Sequence, residues 1–144
     1  MLHRMMVLRD LYDRLIKPAL HDAAVVLLDR SWGSMAAYDG VHHGQQDLSI
    51  RGKHLARNTQ AGDLYAALTI YLDMPVEIGA ARTSGDDEHQ KLYKRHDGRY
   101  MQRVHAAYAT LARQERWHVI DATQPTLTVH HQIAAYVLNK MGKK

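Results

Sequence analysis

The dipeptide formed by Asp29 and Arg30 places a carboxylate and a guanidinium directly after four apolar residues, at positions 25–28. An arginine can hold a phosphate through two parallel hydrogen bonds, and an aspartate can orient that arginine or a metal-bound water. The apolar run is too short for a globular helix and predicts a strand covered on both faces. Both charged residues would then follow the carboxyl end of a strand, where ligands bind in open α/β sheets. Taken alone, the dipeptide is more typical of a structural ion pair at the end of a strand.

Three blocks of the sequence, in order, resemble the thymidylate kinase family. The first block contains IKPAL at 16–20 and LLDR at 27–30, followed by Ser34, Ala37, Tyr38 and Gly40 in the pattern that this family shows after its DR. The second is LTIYLDMPVEIGAAR at 68–82, and the third is HVIDATQP at 118–125. The resemblance spans nearly the whole chain. It implies transfer of a phosphoryl group from ATP to dTMP, with Mg²⁺, to give dTDP.

A glycine-rich phosphate loop of the form GxxxxGK[ST], which the family uses to hold the ATP phosphates, does not occur in the sequence. By the resemblance, residue 1 lies after the family's first strands, so we expect either a start further upstream or an N-terminally truncated relative. The absent first strand would lie between the strand at 25–28 and the strand at 68–72. Unpaired backbone at a sheet centre is costly, so we expect a homodimer or association with a segment that supplies the missing strand.

Apolar periodicity predicts alternating strands and helices, and hence an α/β fold with a parallel sheet and flanking helices. With the resemblance, this is a P-loop nucleoside monophosphate kinase fold that lacks its first strands. Strands are predicted at 25–28, 68–72 and 118–121. Helices are predicted at 5–21 with a stop near Pro18, at 34–38 with Ser34 as the cap, and at 48–58, 76–82, 100–114 and 128–141. Loops are expected at 41–46 and 83–88, and residues 1–144 are expected to form a single domain.

The composition is that of an ordinary globular protein. Of its 144 residues, 46% are hydrophobic and 24% are charged, and cysteine is absent, which excludes disulfides and thiolate metal sites. No apolar run approaches the length of a membrane span and no signal peptide is recognisable, so we expect a cytoplasmic protein without a membrane partner. The net charge of +4 is spread over the chain, which argues against nucleic-acid binding.

By the resemblance, the residues at and after the DR would bind the acceptor nucleotide. Arg30 would hold the acceptor phosphate, and Asp29 would act near the magnesium ion; both are also assigned to catalysis. Ser34 and Tyr38 would contact the acceptor, with Tyr38 near the sugar. The alternative for Tyr38 is an aromatic residue of the helix core.

Two positions depart from the family's pattern on this acceptor side. Met35 stands where the family usually has an amide or hydroxyl that bonds thymine, and a thioether cannot replace that donor and acceptor. Leu8 stands where the family has an arginine that contacts the base, with Arg9 one position along. The specificity for thymine is therefore left open.

The donor side is assigned to two other segments. Arg82 would lie at the start of the family's mobile lid and stabilise charge on the transferring phosphate. Ala122, Thr123 and Gln124 would approach the adenine of ATP, mainly through their backbone groups. The stretch after Arg82, TSGDDEHQ, is acidic, and the basic residues that follow it are also typical of a solvated helix face: Lys91, Lys94, Arg95 and Arg99.

Other chemistries find no support in the sequence. The adjacent pairs among the eleven histidines diverge, and neither HExxH nor GxSxG occurs, so we expect no histidine metal site and no serine hydrolase. Two hypotheses remain. The chain is a thymidylate kinase that receives its phosphate loop from elsewhere, or it is a non-catalytic remnant that binds a nucleotide or a protein partner.

Overall fold

The computed structural model describes residues 10–22, 25–30, 32–42, 44, 68–83 and 98–142. The chain divides into two compact units, Met1–Ala67 and Leu68–Lys144, and each is described by itself. Several predicted features lie outside the described residues: the helix at 48–58, most of the loop after Arg82, the basic residues Lys91, Lys94 and Arg95, and the positions Leu8 and Arg9.

The first described helix continues through Pro18, so the predicted stop there is wrong. A π-helical turn, Tyr12–Ile16, leads directly into helix α1, Lys17–Asp22. Proline normally breaks a helix because it lacks an N–H and its ring strikes the carbonyl of the preceding turn. Here the preceding turn is widened, with the Lys17 amide donating to the Tyr12 carbonyl five residues back. The wider turn accommodates the ring, while the side chains of Tyr12 and Ile16 are buried.

Residues 25–28 are not a strand, which corrects the prediction from their apolar run. A strand requires a neighbour that completes its ladder of hydrogen bonds, and no described residue pairs with this segment. The expected burial on both faces is also wrong, because Leu27 is 87% exposed and Val25 is 45% exposed. Asp29 and Arg30 therefore follow a segment without regular secondary structure rather than the carboxyl end of a strand.

Helix α2, Trp32–His42, begins two residues earlier than predicted. Ser34 consequently lies in its first turn and is not its cap. The helix starts early because Trp32 is itself buried, at 5% exposure, and the buried face continues through small residues: Gly33, Ala36, Ala37 and Gly40. These positions recur at helical spacing, so one face of α2 is in the core and the opposite face carries the larger polar residues.

The second unit contains the sheet. Strands β1, Ile70–Asp73, and β2, His118–Asp121, pair in parallel, which confirms the parallel sheet and two of the three predicted strands. Each strand leads through a proline into a helix: Pro75 precedes α3, Val76–Arg82, and Pro125 precedes α5, Thr126–Met141. The two prolines have nearly the same backbone angles, φ −54 and ψ 140 against φ −55 and ψ 141. Proline is favoured at such starts because its missing N–H would lack a helical partner anyway.

Helix α4, Gly98–Gln114, and helix α5 cover opposite faces of the two-stranded sheet. Tyr71 of β1 stacks on Tyr108 of α4, with ring centroids 5.6 Å apart. His118 of β2 stacks on Tyr136 of α5 at 3.7 Å, and it points to the other face because its neighbour Val119 is the residue paired with Tyr71. The core on α4 is formed by Val104, Ala107, Leu111 and Ala112.

Each face of the sheet carries one apolar side chain that is about half exposed. Leu72, on the α5 face of β1, is 47% exposed, and Val119, on the α4 face of β2, is 48% exposed. In the part of the chain that the structure describes, no helix is long and apolar enough to cross a membrane.

Candidate functional site

Arg30 has a left-handed backbone, with φ 65. Side chains other than glycine adopt this conformation at a cost of roughly 1–2 kcal/mol, and such residues concentrate at functional sites. Among the residues that the structure describes, the other non-glycine residue with positive φ is Arg116, at φ 55, and it has a structural explanation. It closes the end of α4, where the Trp117 amide donates to the Ala112 carbonyl in the bonding pattern of a helix C-cap. Arg30 closes no helix, since it follows a segment without regular secondary structure and precedes α2.

Ser34 and Tyr38, both predicted to bind substrate, share one face of α2 because they are four residues apart. Both are half-buried, and so is Met35, which is rotated by about 100° from Ser34. This face is opposite to the buried stripe of glycine and alanine. In the first unit, the exposed residues Asp29 and Arg30 thus lie shortly before the helix that carries Ser34 and Tyr38 on one face.

In the second unit, a tight turn at residues 121–124 follows β2, and we call it the Asp121 turn. The Asp121 carboxylate accepts from the Thr123 amide at 2.8 Å and from the Thr123 hydroxyl at 2.6 Å. Its other oxygen accepts from the Gln124 side chain at 3.5 Å, and Gln124 in turn accepts from Gln132 of α5 at 3.1 Å. The Ala122 amide donates to the Asp73 carbonyl at 2.8 Å. The three residues predicted to approach adenine thus form one hydrogen-bonded turn at the carboxyl end of the sheet.

Arg82 reaches this turn from the end of α3. Its Nη1 donates to the Ala122 carbonyl at 2.7 Å and its Nη2 to the Thr123 carbonyl at 3.1 Å. The structure therefore brings together Arg82, Ala122 and Thr123, which the sequence analysis assigned to separate roles. Their functional roles stay predictions.

A histidine and aspartate pair adjoins the same sheet edge and was missed by sequence reasoning. His105 of α4 bonds Asp73 through Nε2 at 2.7 Å, with both side chains partly exposed. Burial raises the pKa of the nearby Tyr71 hydroxyl far above its usual value, and a hydrogen bond to Asp73 raises it further. The sequence signal that could have indicated this pair is the aspartate that follows the apolar residues of IYLD and HVID, as it does in LLDR. The described residues contain no cluster of three or more potential metal ligands.

Replacing Asp121 by asparagine is expected to remove a contribution to the free energy of unfolding that is present at neutral pH and is lost in acid. The hydroxyl and then the amide of Thr123 lower the pKa of Asp121 from its ordinary value of 3.8. Since the pKa is lower in the folded state, the carboxylate stabilises the fold above pH 3.8, and this contribution is lost as the pH falls through the lowered value. The measurement is the denaturant midpoint of wild type and Asp121→Asn from neutral pH to about pH 3.

An Asp22→Asn variant, which changes an exposed aspartate on α1, is the control for the loss of one negative charge. It should follow the wild-type pH profile. Identical profiles for wild type and Asp121→Asn would contradict the prediction.

The second unit is a parallel α/β sheet with helices on both faces and polar groups converging at the carboxyl ends of its strands, the edge at which this class of protein binds ligands. The thymidylate kinase family model matches residues 3–133. The chain belongs to the thymidylate kinase family, as the resemblance implied.

Individual relatives agree with this assignment. The chain is 35% identical to a thymidylate kinase of Thermomicrobium roseum over 92% of its own length and 62% of the relative's. It is 33% identical to one of Pseudomonas putida, covering 85% of this chain and 58% of the relative. It is 36% identical to one of Thermosynechococcus vestitus, covering 85% and 52%. The chain thus spans between about half and two thirds of the length of these relatives.

Proposed function

We propose that this chain acts as a thymidylate kinase, transferring the γ-phosphoryl group of ATP to dTMP, when a phosphate loop is supplied by another segment. The first unit would bind the acceptor through Arg30, and the second unit would bind the adenine through the Asp121 turn. The observation that carries this proposal is the left-handed backbone of Arg30. Neither helix capping nor core packing accounts for that conformation, whereas positioning a guanidinium for a phosphate does.

The role of each residue follows from its chemistry. Arg30 would hold the dTMP phosphate through bidentate charge-assisted hydrogen bonds. Ser34 and Tyr38, four residues apart on the half-buried face of α2, would flank the nucleoside. The Asp121 turn would receive the adenine of ATP. Transfer of this kind needs no covalent intermediate and depends on positioning and electrostatics.

A magnesium ion fits the donor set on the acceptor side. Magnesium keeps several waters and is usually bound through one or two carboxylates together with substrate phosphates. Asp29 is a single exposed carboxylate next to the predicted phosphate-binding Arg30, so it would hold or orient a magnesium-bound water. When bound, the ion neutralises charge on the phosphate oxygens.

A second candidate function is nucleotide binding without transfer. It is favoured by the absence of GxxxxGK[ST] from the sequence and by Met35, which cannot replace the family's hydrogen-bonding group for thymine. This protein would keep the dTMP affinity that depends on Arg30 and would release no ADP.

When a polypeptide that carries the phosphate loop is added, the purified chain is expected to form ADP from ATP in the presence of magnesium and dTMP. An Arg30→Ala variant is expected to lose this activity. Calorimetric binding of dTMP is measured on the same samples. Turnover that the variant loses supports the kinase, while dTMP binding that the variant loses, without turnover in wild type, supports the binding protein. If folded wild type neither turns over nor binds dTMP, both candidates are wrong.

A further inference from the structure

We propose that Arg82 is a positioning residue that holds the Asp121 turn in shape, so that it governs the affinity for ATP and does not act on the transferring phosphate. This role deepens the proposed function and rests on it, because the turn is the proposed adenine side. It differs from the role that the sequence analysis assigned to Arg82 at the start of a lid.

The two hydrogen bonds of Arg82 form a fork on consecutive carbonyls. Nη1 lies 2.7 Å from the Ala122 oxygen, and Nη2 lies 3.1 Å from the Thr123 oxygen. Because the guanidinium is planar, the fork fixes the spacing and the direction of both carbonyls together. A lysine ammonium is a point charge on a flexible stem and cannot impose the same geometry.

The backbone of Arg82 is itself fixed at the end of α3. The Thr83 amide donates to the Gly79 carbonyl at 3.2 Å, and the Thr83 hydroxyl lies 3.2 Å from both the Gly79 and the Ala80 carbonyls. These bonds close the last turn of the helix directly after Arg82. Its backbone is therefore anchored on the helix, and the fork joins the end of α3 to the turn that follows β2.

The turn is held from two sides. On the inside, the amides of Ala122 and Thr123 donate to the Asp73 carbonyl and the Asp121 carboxylate, respectively. On the outside, the carbonyls of the same two residues accept from Arg82. Each main-chain polar group of both residues thus has a hydrogen-bond partner within the protein, and these bonds fix the shape that the turn offers to a ligand.

The same fork argues against a role on the phosphate. The two carbonyls engage one N–H of each terminal nitrogen, so the guanidinium is held at the turn. Moving it onto a phosphate away from the turn would break both hydrogen bonds, which are among the stronger ones in a protein because the donor is charged. Loss of the Arg82 side chain should therefore weaken the binding of the nucleotide at the turn without removing a group that acts in the chemical step.

The experiment compares wild type with Arg82→Ala, Arg82→Lys and, as a matched control, Arg113→Ala. Arg113 is an exposed arginine on α4 that bonds the Thr110 hydroxyl at 3.3 Å, so its removal changes the net charge equally. Amide hydrogen exchange of the peptide covering residues 118–125, and the dissociation constants for ATP and dTMP, are measured for each protein.

We expect exchange in that peptide to be roughly tenfold faster in Arg82→Ala, with a comparable loss of ATP affinity. Arg82→Lys should restore little of either, and both variants should bind dTMP as wild type does. Arg113→Ala should match wild type throughout.

Unchanged exchange in Arg82→Ala, verified as folded by its unfolding midpoint, would overturn the proposal. Lost turnover with unchanged ATP affinity would also overturn it and would return Arg82 to the phosphate. If wild type binds no ATP even when the phosphate loop is supplied, the proposed function fails. The exchange comparison still supports or overturns the role of the fork in holding the turn.

Discussion

Replacing Arg30 by glycine should weaken dTMP binding by about 100-fold or more and, at the same time, make the protein more stable. Two charge-assisted hydrogen bonds to a phosphate together contribute about 3 kcal/mol, and each 1.4 kcal/mol corresponds to a factor of ten in affinity. The left-handed backbone costs arginine roughly 1–2 kcal/mol, while glycine loses about 0.5–1 kcal/mol more entropy on folding. The free energy of unfolding should therefore rise by roughly 0.5–1 kcal/mol.

The matched control is Arg116→Gly, which removes the only other non-glycine side chain with positive φ among the described residues. It should stabilise the protein by a similar amount and leave dTMP binding unchanged. Arg30→Ala should lose binding without the gain in stability. If Arg30→Gly keeps wild-type affinity, Arg30 does not bind the acceptor; if it is destabilised, the backbone strain inferred at this position is wrong.

Replacing Leu111 by alanine should lower the free energy of unfolding by about 3 kcal/mol, the middle of the usual range for such substitutions. Leu111 is 0% exposed, and it is the largest side chain among the described residues with less than 2% exposure. The substitution removes buried methyl groups and leaves a cavity where α4 packs, so both the transfer and the cavity contributions apply.

Leu138→Ala on α5 is the matched control, because Leu138 is 66% exposed and its truncation opens no cavity. We expect a change within about 0.5 kcal/mol for that variant. Chemical denaturation of both variants decides the question, since the midpoint reports stability when the slope is unchanged. If both variants lost the same free energy of unfolding, the packing of α4 would not depend on Leu111.

The second unit was largely predictable because local signals coincide there. Proline marks the start of two helices, helical spacing marks α4, and short apolar runs that end in aspartate mark both strands. Helix α3 was predicted with its observed bounds, Val76–Arg82. In each of these segments, the residues that determine the structure are neighbours in sequence, so a pattern is sufficient.

The first unit was predicted less well because its structure depends on context that a pattern does not contain. Residues 25–28 have the composition of a strand but no pairing neighbour among the described residues, and a strand exists only as part of a ladder. The helix around Pro18 persists because of a widened turn that no residue type announces.

On the functional side, the residue types of the candidate site were predicted, but most of its contacts were not. The bonds of Arg82 to the Asp121 turn join residues 40 and 41 positions apart, a separation over which periodicity carries no information. The bond between Asp121 and Thr123, by contrast, joins residues two positions apart and follows a known turn pattern.

The fork of Arg82 ends on main-chain oxygens, and this has a consequence for how the turn can change in evolution or by engineering. A main-chain carbonyl is present whatever the side chain, so substitutions at the exposed Thr123 would leave both acceptors in place. An inserted or deleted residue would move one carbonyl away from the fork. The turn should therefore tolerate a change of residue type at Thr123 much better than a change in its length.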